Sequence, residues 1–455
     1  MLTRRSGCET DDMAEIAVSL KHLVDFRLGV YASFTLRADA LFELVDSLLL
    51  SPIIRSAVEL SQSPVFRRRF PSVYDALDNG RIDPTALRQV IAAAEPDEAL
   101  IVADYAVYAL DTTITPRPDA STVPDLSKVY SAEHDKAIPA HQFSWLGRVI
   151  ARGQSWFAPR EVERVPTSST PGEVGAEQVR RLAADPTPTA AKVVTADSHY
   201  ACPHFLGAFV GLAPRVVVLV RLASNRVLFG PPPPPTGKRG RPRLHGTKLA
   251  LRAPGNPERK ETVRRSGQEF RLSGWSNQHL KPLPTLVGLV LRVEFIKADG
   301  TPRYKRPLWL FWSGRQDVAL ADLVTMYLLR FQVEHFFRFA KQRLGLLVAH
   351  LGDLTPIETW VQVVALAYWQ LLLARQLVKP TYRPWDPTAR QDPNRPLTPG
   401  QVLDAWRIFS RTLDTPAVAP KPAGKAPGRA PGYQPKLKPR RPVAKAKIPR
   451  VKAAA

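Results

Sequence analysis

Residues 99–113 read ALIVADYAVYALDTT, an apolar run rich in residues that favour β-strands. Two similar runs follow, KVVTADSHY (192–200) and RVVVLVRL (215–222). Short apolar runs with this composition are typical of buried strands. A helical pattern, GEVGAEQVRRLAA (172–184), lies between the first two runs. Strands interspersed with helices predict an α/β core.

The sequences on the two sides of these runs predict different secondary structure. Upstream, RADALFELVDSLLL and DPTALRQVIAAAE predict helices, the second opened by an Asp-Pro start. Downstream, PPPPPTGKRGRPRLHG cannot form a regular strand or helix, and strand-like runs follow it. We therefore divide the chain into a helical region (1–95), a first core part (96–225), a β-rich insertion (226–305), a second core part with C-terminal helices (306–415) and a basic tail (416–455).

The charge balance indicates a polyanionic partner. Lys and Arg number 64 against 41 Asp and Glu, which gives a net charge of +23 and a pI near 10.3. Such a surplus is typical of proteins that bind nucleic acid. The tail has 11 Lys or Arg and no acid, so we expect it to be disordered.

A membrane is the competing partner for a basic chain. No apolar run approaches the roughly 20 residues of a membrane span, and the first residues lack the apolar segment of a signal peptide. Cys8 and Cys202 are too few for a disulfide framework or a thiolate metal cage. We expect a bacterial cytoplasmic, nucleoid-associated protein that does not bind a membrane.

Residues 327–341 read YLLRFQVEHFFRFAK, an apolar stretch that contains several ionisable side chains. At about 100° per residue, all of these fall within roughly 80° of a helix circumference. They are Tyr327, Arg330, Glu334, Arg338 and Lys341. A mostly buried helix with a narrow charged seam is the interpretation we favour; the alternative is a solvated face with an internal Arg–Glu pair.

Three acids stand where apolar elements end or open: Asp111, Asp197 and Glu334. Carboxylates at strand ends can converge at one edge of an α/β sheet, and a helix against that edge can add a third. Such oxygen ligands suit two Mg²⁺ or Mn²⁺ ions, which catalyse in-line attack on a phosphodiester. Arg330, Arg338 and Lys341 are suited to holding phosphates beside the ions. Each aspartate alone is also a common turn or cap residue.

This set resembles the YREK signature of DDE transposases from bacterial insertion sequences. Tyr327, Arg330, Glu334 and Lys341 have the spacing Y-(2)-R-(3)-E-(6)-K, and the continuation FRFAKQRLGL is similar as well. Upstream, LDTT and VVTADSHY resemble the family's two aspartate regions in order and approximate spacing. The resemblance covers roughly residues 25–415, nearly the whole chain.

The resemblance implies a ribonuclease H-like mixed sheet flanked by helices and interrupted by the β-rich insertion. It also implies a helical N-terminal domain that reads the element's terminal inverted repeats. Asp111, Asp197 and Glu334 would be metal ligands. Tyr327, Arg330 and Lys341 would contact the DNA backbone near the cleaved end.

Two segments of the insertion suggest further DNA contacts. Arg241 and Arg243 lie in GRPR, which resembles the core of an AT-hook and can enter a narrow minor groove. The alternative is a plain basic loop. Trp275, in SGWSNQHLK, is a candidate for stacking on a flipped base; the alternative is a buried structural tryptophan.

The main functional hypothesis is therefore a cut-and-paste DNA transposase, a homodimer in its synaptic complex. It would bind double-stranded DNA at the terminal inverted repeats and at the target. Two alternatives remain: a catalytically inactive, transposase-derived DNA-binding protein, and a metal-dependent nuclease of the same fold.

Overall fold

The computed structural model describes residues 6–96, 99–131, 135–234, 243–265, 267–380, 385, 395–422, 428, 431–434 and 437–445, with side chains described from residue 14 onward.

The N-terminal region is helical, as the sequence predicts. Asp83 caps the last helix of the region by accepting hydrogen bonds from the backbone N–H groups of Thr85 and Ala86, and Pro84 is its first residue, so the Asp-Pro start is confirmed. The elements are α1 (Ser6–Ser33), β1 (Phe34–Leu36), α2 (Ala38–Leu50), a 3-10 turn (Ala57–Gln62), α3 (Pro71–Asn79), β2 (Arg81–Ile82) and α4 (Pro84–Ala93).

A large mixed sheet follows. Its first part contains β3 (Ile101–Val102), β4 (Tyr105–Pro116), β5 (Ser127–Ser131), β6 (Lys136–Val149), β7 (Phe157–Val165), α5 (Pro171–Ala184), β8 (Ala191–Ala196), a 3-10 turn (Ser198–Tyr200), α6 (Pro203–Gly207) and β9 (Val216–Leu222). Strands β4, β6 and β7 form an antiparallel meander, and β8 and β9 run parallel to β4 in the order β7-β6-β4-β8-β9. This order is that of a ribonuclease H-like fold, so the predicted fold is confirmed.

The segment predicted to be a β-rich insertion extends the same sheet. It contains β10 (Val227–Phe229), β11 (Lys248–Ala250), β12 (Arg259–Arg265), β13 (Gln268–Leu280) and β14 (Leu283–Ile296), and β15 (Leu308–Trp312) then returns beside β9. The sheet continues from β9 through β15, β14, β13 and β10 to β11, while β12 pairs with β13. The insertion therefore lies between the strand after Asp197 and the helices that carry Glu334.

The C-terminal half supplies α7 (Leu320–Leu329), α8 (Phe331–Arg343), α9 (Leu354–Ala374) and α10 (Pro399–Phe409), followed by a 3-10 turn (Ser410–Thr412). By length and composition α9 could cross a membrane, contrary to the sequence-based statement that no run approaches a span. However, 89% of its most apolar 18-residue window is buried inside the protein. Helix α9 is thus the central core helix of the helical layer.

Helices α1, α2, α3 and α10 all pack on α9, and residues from both ends of the chain share one apolar core. The ion pair of Arg27 with Asp46 (2.7 Å) is buried, and Gln370 of α9 donates to Asp46 at 3.0 Å. The helices of residues 1–95 therefore share one core with the C-terminal helices. Their apolar faces are covered by a helix more than 250 residues away in sequence.

The C-terminal segment predicted to be disordered is partly ordered in the described residues. The backbone N–H of Arg441 donates to Ser121 O, and β16 (Ala444–Lys445) pairs in parallel with β5. Near the start of the segment, the carbonyls of Ala417 and Val418 accept hydrogen bonds from Arg67 and Arg68.

Candidate active site

Asp111 lies in the middle of β4, which continues to Pro116, so the prediction that it ends its strand is wrong. Its position is nevertheless set by the neighbouring strand. Leu110 pairs with Ala196, the last residue of β8, and Asp111 therefore lies beside Asp197 at the carboxyl end of β8. Burial raises the pKa of Asp111 to about 6; Arg330 opposes this, and the charges of Asp197 and Glu334 add to it.

Helix α5 packs closely against this part of the sheet because Gly175 has no side chain. A Cβ at this position would lie 2.9 Å from Leu110 Cδ2 and 2.9 Å from Tyr200 Cε1. The close approach fixes the strand residue that precedes Asp111.

Asp197 caps the turn that follows β8. Its Oδ1 accepts from the backbone N–H of His199 at 2.9 Å, and its Oδ2 lies 2.8 Å from His199 Nδ1. Burial alone would raise the pKa of Asp197, but these bonds to His199 outweigh it and lower the pKa. The same side-chain hydrogen bond with Asp197 raises the pKa of His199. Asp197 is therefore a well-oriented carboxylate that remains ionised at neutral pH.

The helix predicted over 327–341 is interrupted at Arg330. Helix α7 ends at Leu329 and α8 begins at Phe331, with i→i+3 hydrogen bonds from Arg330 N to Tyr327 O and from Val333 N to Arg330 O. At this junction the guanidinium of Arg330 forms an ion pair with Asp111 and donates to Glu334 Oε1 at 3.2 Å. Arg330 thus links the first and third acids.

The charges around Arg330 show that all three acids are near it. Burial lowers the pKa of this guanidinium, but Asp111, Tyr327, Glu334 and Asp197 outweigh burial and raise it. The Nε–H of Arg330 is buried and has no hydrogen-bond partner among the described residues. The predicted acid triad is therefore assembled in one place, with an arginine among the carboxylates.

The rest of the predicted seam is divided between the interior and the surface. Tyr327 is buried, with the Arg330 Cζ 5.8 Å from its ring centroid, and burial raises the pKa of its hydroxyl. Arg338 is exposed, Lys341 is half-buried, and Glu334 has a side chain 43% exposed. The exposed side of the seam is open to a bound polyanion.

The remaining predicted DNA contacts lie elsewhere. Trp275 is buried and packs against Trp309 with ring centroids 5.5 Å apart, while its indole N–H donates to Gly255 O. As a core residue it cannot stack on a flipped base, so that assignment is corrected. Arg243 is exposed, and Arg241 lies outside the described residues.

The sequence did not assign His199 a role, although it touches Asp197. The sequence does contain a pattern that could have indicated this contact, D-x-H directly after an apolar strand, but the pattern is common in turns. His141, also left without a role, is buried, and its Nε2 lies 3.0 Å from Pro124 O. His141 is thus part of the protein interior, whereas His199 belongs to the site.

Carboxylate oxygens are the ligand type that Mg²⁺ and Mn²⁺ prefer, and the mutual repulsion of the three acids favours a cation among them. In the described part of the chain, however, no three His, Cys, Asp or Glu residues are arranged to ligate one ion. Arg330 contacts two of the three acids. The three acids therefore supply the ligand type of a divalent ion, but in this structure two of them face Arg330 instead of a shared ion position.

The chain matches the family described as DDE superfamily endonuclease over residues 29–281, more than half of its length. It belongs to this family. The match includes Asp111 and Asp197 and ends before Glu334, whose place in the site follows from the geometry above. Divalent metal ions are implied by the family.

A search of curated proteins finds no match. Among solved structures, the chain is similar to a piggyBac transposase synaptic complex with hairpin DNA, at 9% identity and a TM-score of 0.42 over 84% of this chain and 73% of the other. Similarity at this level carries no argument, so the fold assignment depends on the strand order and the family match.

Proposed function

We propose that this chain is a cut-and-paste DNA transposase of the YREK group, encoded by a bacterial insertion sequence. The observation that carries the proposal is that one arginine, Arg330, joins Asp111 to Glu334 beside Asp197. Asp111 is 219 positions and Glu334 four positions from Arg330 in sequence. The two aspartates and the YREK residues therefore come together only in the folded chain.

Asp111, Asp197 and Glu334 would hold the metal ions of the site. Two bound Mg²⁺ or Mn²⁺ ions would supply an activated water and stabilise the leaving oxygen at a phosphodiester. The protein contributes orientation: His199 fixes Asp197, and Arg330 fixes Asp111 and Glu334. Arg338, which is exposed on the same helix as Glu334, is a donor suited to a phosphate oxygen of the DNA end.

The reaction proposed has two steps at this site. Hydrolysis at each element end breaks a phosphodiester and leaves a 3′-hydroxyl. That hydroxyl then attacks a phosphodiester of target DNA, so one P–O bond forms and one breaks. The DNA substrates are the terminal inverted repeats and the target duplex, and a homodimer would hold two ends in a synaptic complex in the bacterial cytoplasm.

The test is cleavage of a plasmid that carries the element's own ends, taken from the DNA that flanks the coding sequence. Glu334→Gln should abolish cleavage in Mg²⁺ and leave binding to the ends largely intact. Glu177→Gln, an exposed glutamate of α5, is the matched control and should cleave like the parent. Undiminished cleavage by the Glu334 variant would contradict the proposal.

A second assay separates a transposase from a nuclease of the same fold. A precleaved end with a free 3′-hydroxyl is offered together with a supercoiled target. Joined products are expected from the transposase. Cleavage of uncleaved element ends without joining of the precleaved end to the target would support the nuclease. DNA binding with neither cleaved nor joined products would support the inactive binding protein.

A further inference from the structure

The net positive charge of the chain is confined to two segments. The insertion, residues 226–305, has 17 Lys and Arg against five Asp and Glu, a net charge of +12. The tail, residues 416–455, has 11 Lys and Arg and no acid. Together these two segments account for the whole-chain value of +23. The helical region 1–95, by contrast, has 11 Lys and Arg against 13 Asp and Glu.

In the insertion, six of the 17 basic residues lie on a three-stranded antiparallel ribbon, β12–β14. Along β12 the residues alternate between exposed and half-buried, with Lys260, Thr262 and Arg264 on the outer face. Arg271 of β13 lies opposite Thr262 on the same face. We call this face, formed by Lys260, Thr262, Arg264 and Arg271, the basic ribbon face.

The opposite face of the ribbon is occupied by the protein itself. Arg265 forms an ion pair with Asp322 of α7 at 2.9 Å and donates to Thr325 Oγ1 at 2.8 Å. Phe270 and Val293 lie in the core. The ribbon is therefore anchored on α7, the helix that leads into Arg330, and its outer face is exposed.

The cations of the basic ribbon face form no ion pairs among the described residues, although two carboxylates lie on the same face. Glu269 and Glu294 lie across from Arg264 and Arg271 in the strand register, yet Glu294 pairs with Arg292 instead. In the residues that the structure describes, no carboxylate lies within 4.0 Å of Lys260, Arg264 or Arg271.

The helical region shows the opposite pattern, because five of its nine described cations have carboxylate partners. Lys21 pairs with Asp25, Arg37 with Asp75, and both Arg67 and Arg68 with Glu43. Of the three consecutive arginines Arg67–Arg69, the first two thus pair with carboxylates of the protein.

We propose that the basic ribbon face, and not the N-terminal helical region, is the main surface by which this chain binds the phosphate backbone of double-stranded DNA. The inference rests on the proposed function, since it names the surface that would hold the DNA substrate. Residues two apart on one face of a strand are spaced by about 7 Å. A row of such cations on a rigid ribbon presents several unpaired charges to a polyanion at once.

The test compares two variants that each lose three exposed cations. The ribbon variant is Lys260→Gln/Arg264→Gln/Arg271→Gln; the control is Lys21→Gln/Arg55→Gln/Arg69→Gln in the helical region. All six side chains are exposed, so both variants should keep the parent's unfolding midpoint. The probe is a random-sequence DNA duplex, and its affinity is measured at several salt concentrations.

Each phosphate contact contributes about 0.9 to the slope of log affinity against log salt, so the ribbon variant should lose up to about 3 from that slope. The control should lose less than about 1. Equal losses in the two variants, or a larger loss in the control, would overturn the inference. So would tighter binding of the parent to anionic vesicles or to duplex RNA than to DNA.

The outcome is distinguishable from that of the proposed function. A chain that binds DNA through the basic ribbon face but cleaves nothing would keep this inference and contradict the transposase. If the chain cleaves its ends and the ribbon variant binds duplex as well as the parent, the transposase proposal is supported and this inference is contradicted.

Discussion

Arg330 forms an ion pair with Asp111, the acid on the central strand, at a side-chain exposure of 10% for the arginine and 17% for the aspartate. The same guanidinium donates to Glu334. In the folded chain an internal cation thus compensates two acids that the fold would otherwise hold close together without a counter-charge. Arg330 is a positioning residue for both.

The first prediction concerns removal of this cation. Arg330→Gln should destabilise the metal-free protein by about 3 kcal/mol, because it leaves a buried carboxylate without its partner. Saturating Mg²⁺ should restore more stability to this variant than to the parent, since the ion replaces the missing charge. Urea unfolding with and without Mg²⁺ measures both effects. Arg315→Gln, which removes the exposed partner of Asp104, is the control. An equal Mg²⁺ effect in parent and variant would contradict the prediction.

The second prediction concerns Trp275, which is buried against Trp309. Trp275→Ala should cost about 4 kcal/mol of unfolding free energy, because it opens a cavity in the core. Trp275→Phe, which keeps most of the ring, should cost less and retain the parent's DNA affinity within about twofold. Denaturant unfolding and duplex binding test the two statements. A stable Trp275→Phe variant that loses most of its DNA affinity would restore the stacking interpretation.

The sequence predicts the parts of this fold that depend on local patterns. The strand runs around Val107, Val194 and Val218 are apolar enough to be recognised, and the insertion is marked by its proline-rich start. The acids of the site could be found because each stands in or beside an apolar element. The resemblance to a known signature then indicated which acids belong together.

The parts that the sequence did not predict depend on long-range contacts. Nothing near Arg27 or Asp46 shows that Gln370 completes their buried network, and so the N-terminal helices were separated from α9. The break at Arg330 is invisible in the periodicity, because its backbone stays in the right-handed helical region and only the hydrogen bonds change. The end of β4 was missed because TTITP continues the strand after Asp111.

The third prediction is a pH dependence of stability from Lys192, which is 1% exposed and donates to the carbonyls of Leu182 (3.1 Å) and Asp185 (2.5 Å). Burial lowers the pKa of this amine from 10.5 to about 8, although Asp185 opposes the change. Because the folded pKa is the lower one, the stabilising contribution is complete above pH 10.5 and is lost as pH falls towards 8.

Lys192→Met removes the titrating amine, so the stability difference between parent and variant isolates its contribution. The parent should gain up to about 3 kcal/mol relative to Lys192→Met as pH rises from 8 to 10.5. Denaturant unfolding at several pH values gives this difference, and other titrating groups cancel between the two proteins. A difference that stays constant over the range, or that falls, would show that the buried amine does not change its charge there.

The fourth prediction tests whether the N-terminal helices and α9 unfold together. Asp46→Ala leaves Arg27 buried at 5% exposure without its carboxylate, and the expected loss is about 4 kcal/mol. Asp25→Ala removes only an exposed i,i+4 pair with Lys21 and should change stability by less than about 0.5 kcal/mol. Trp369 of α9 lies 5.7 Å from Phe26 of α1, ring to ring, and is one of nine tryptophans, so it contributes to a fluorescence change when the two ends of the chain separate.

Because α9 also packs on β7 of the catalytic sheet, a loss at Asp46 should destabilise the sheet and the helices alike. One shared transition, shifted to lower denaturant, is therefore expected by tryptophan fluorescence and by far-ultraviolet circular dichroism. If Asp46→Ala instead produced an early transition in the helices and left the main transition unchanged, residues 1–95 would unfold as an independent domain. The division of the chain first drawn from its sequence would then be the correct one.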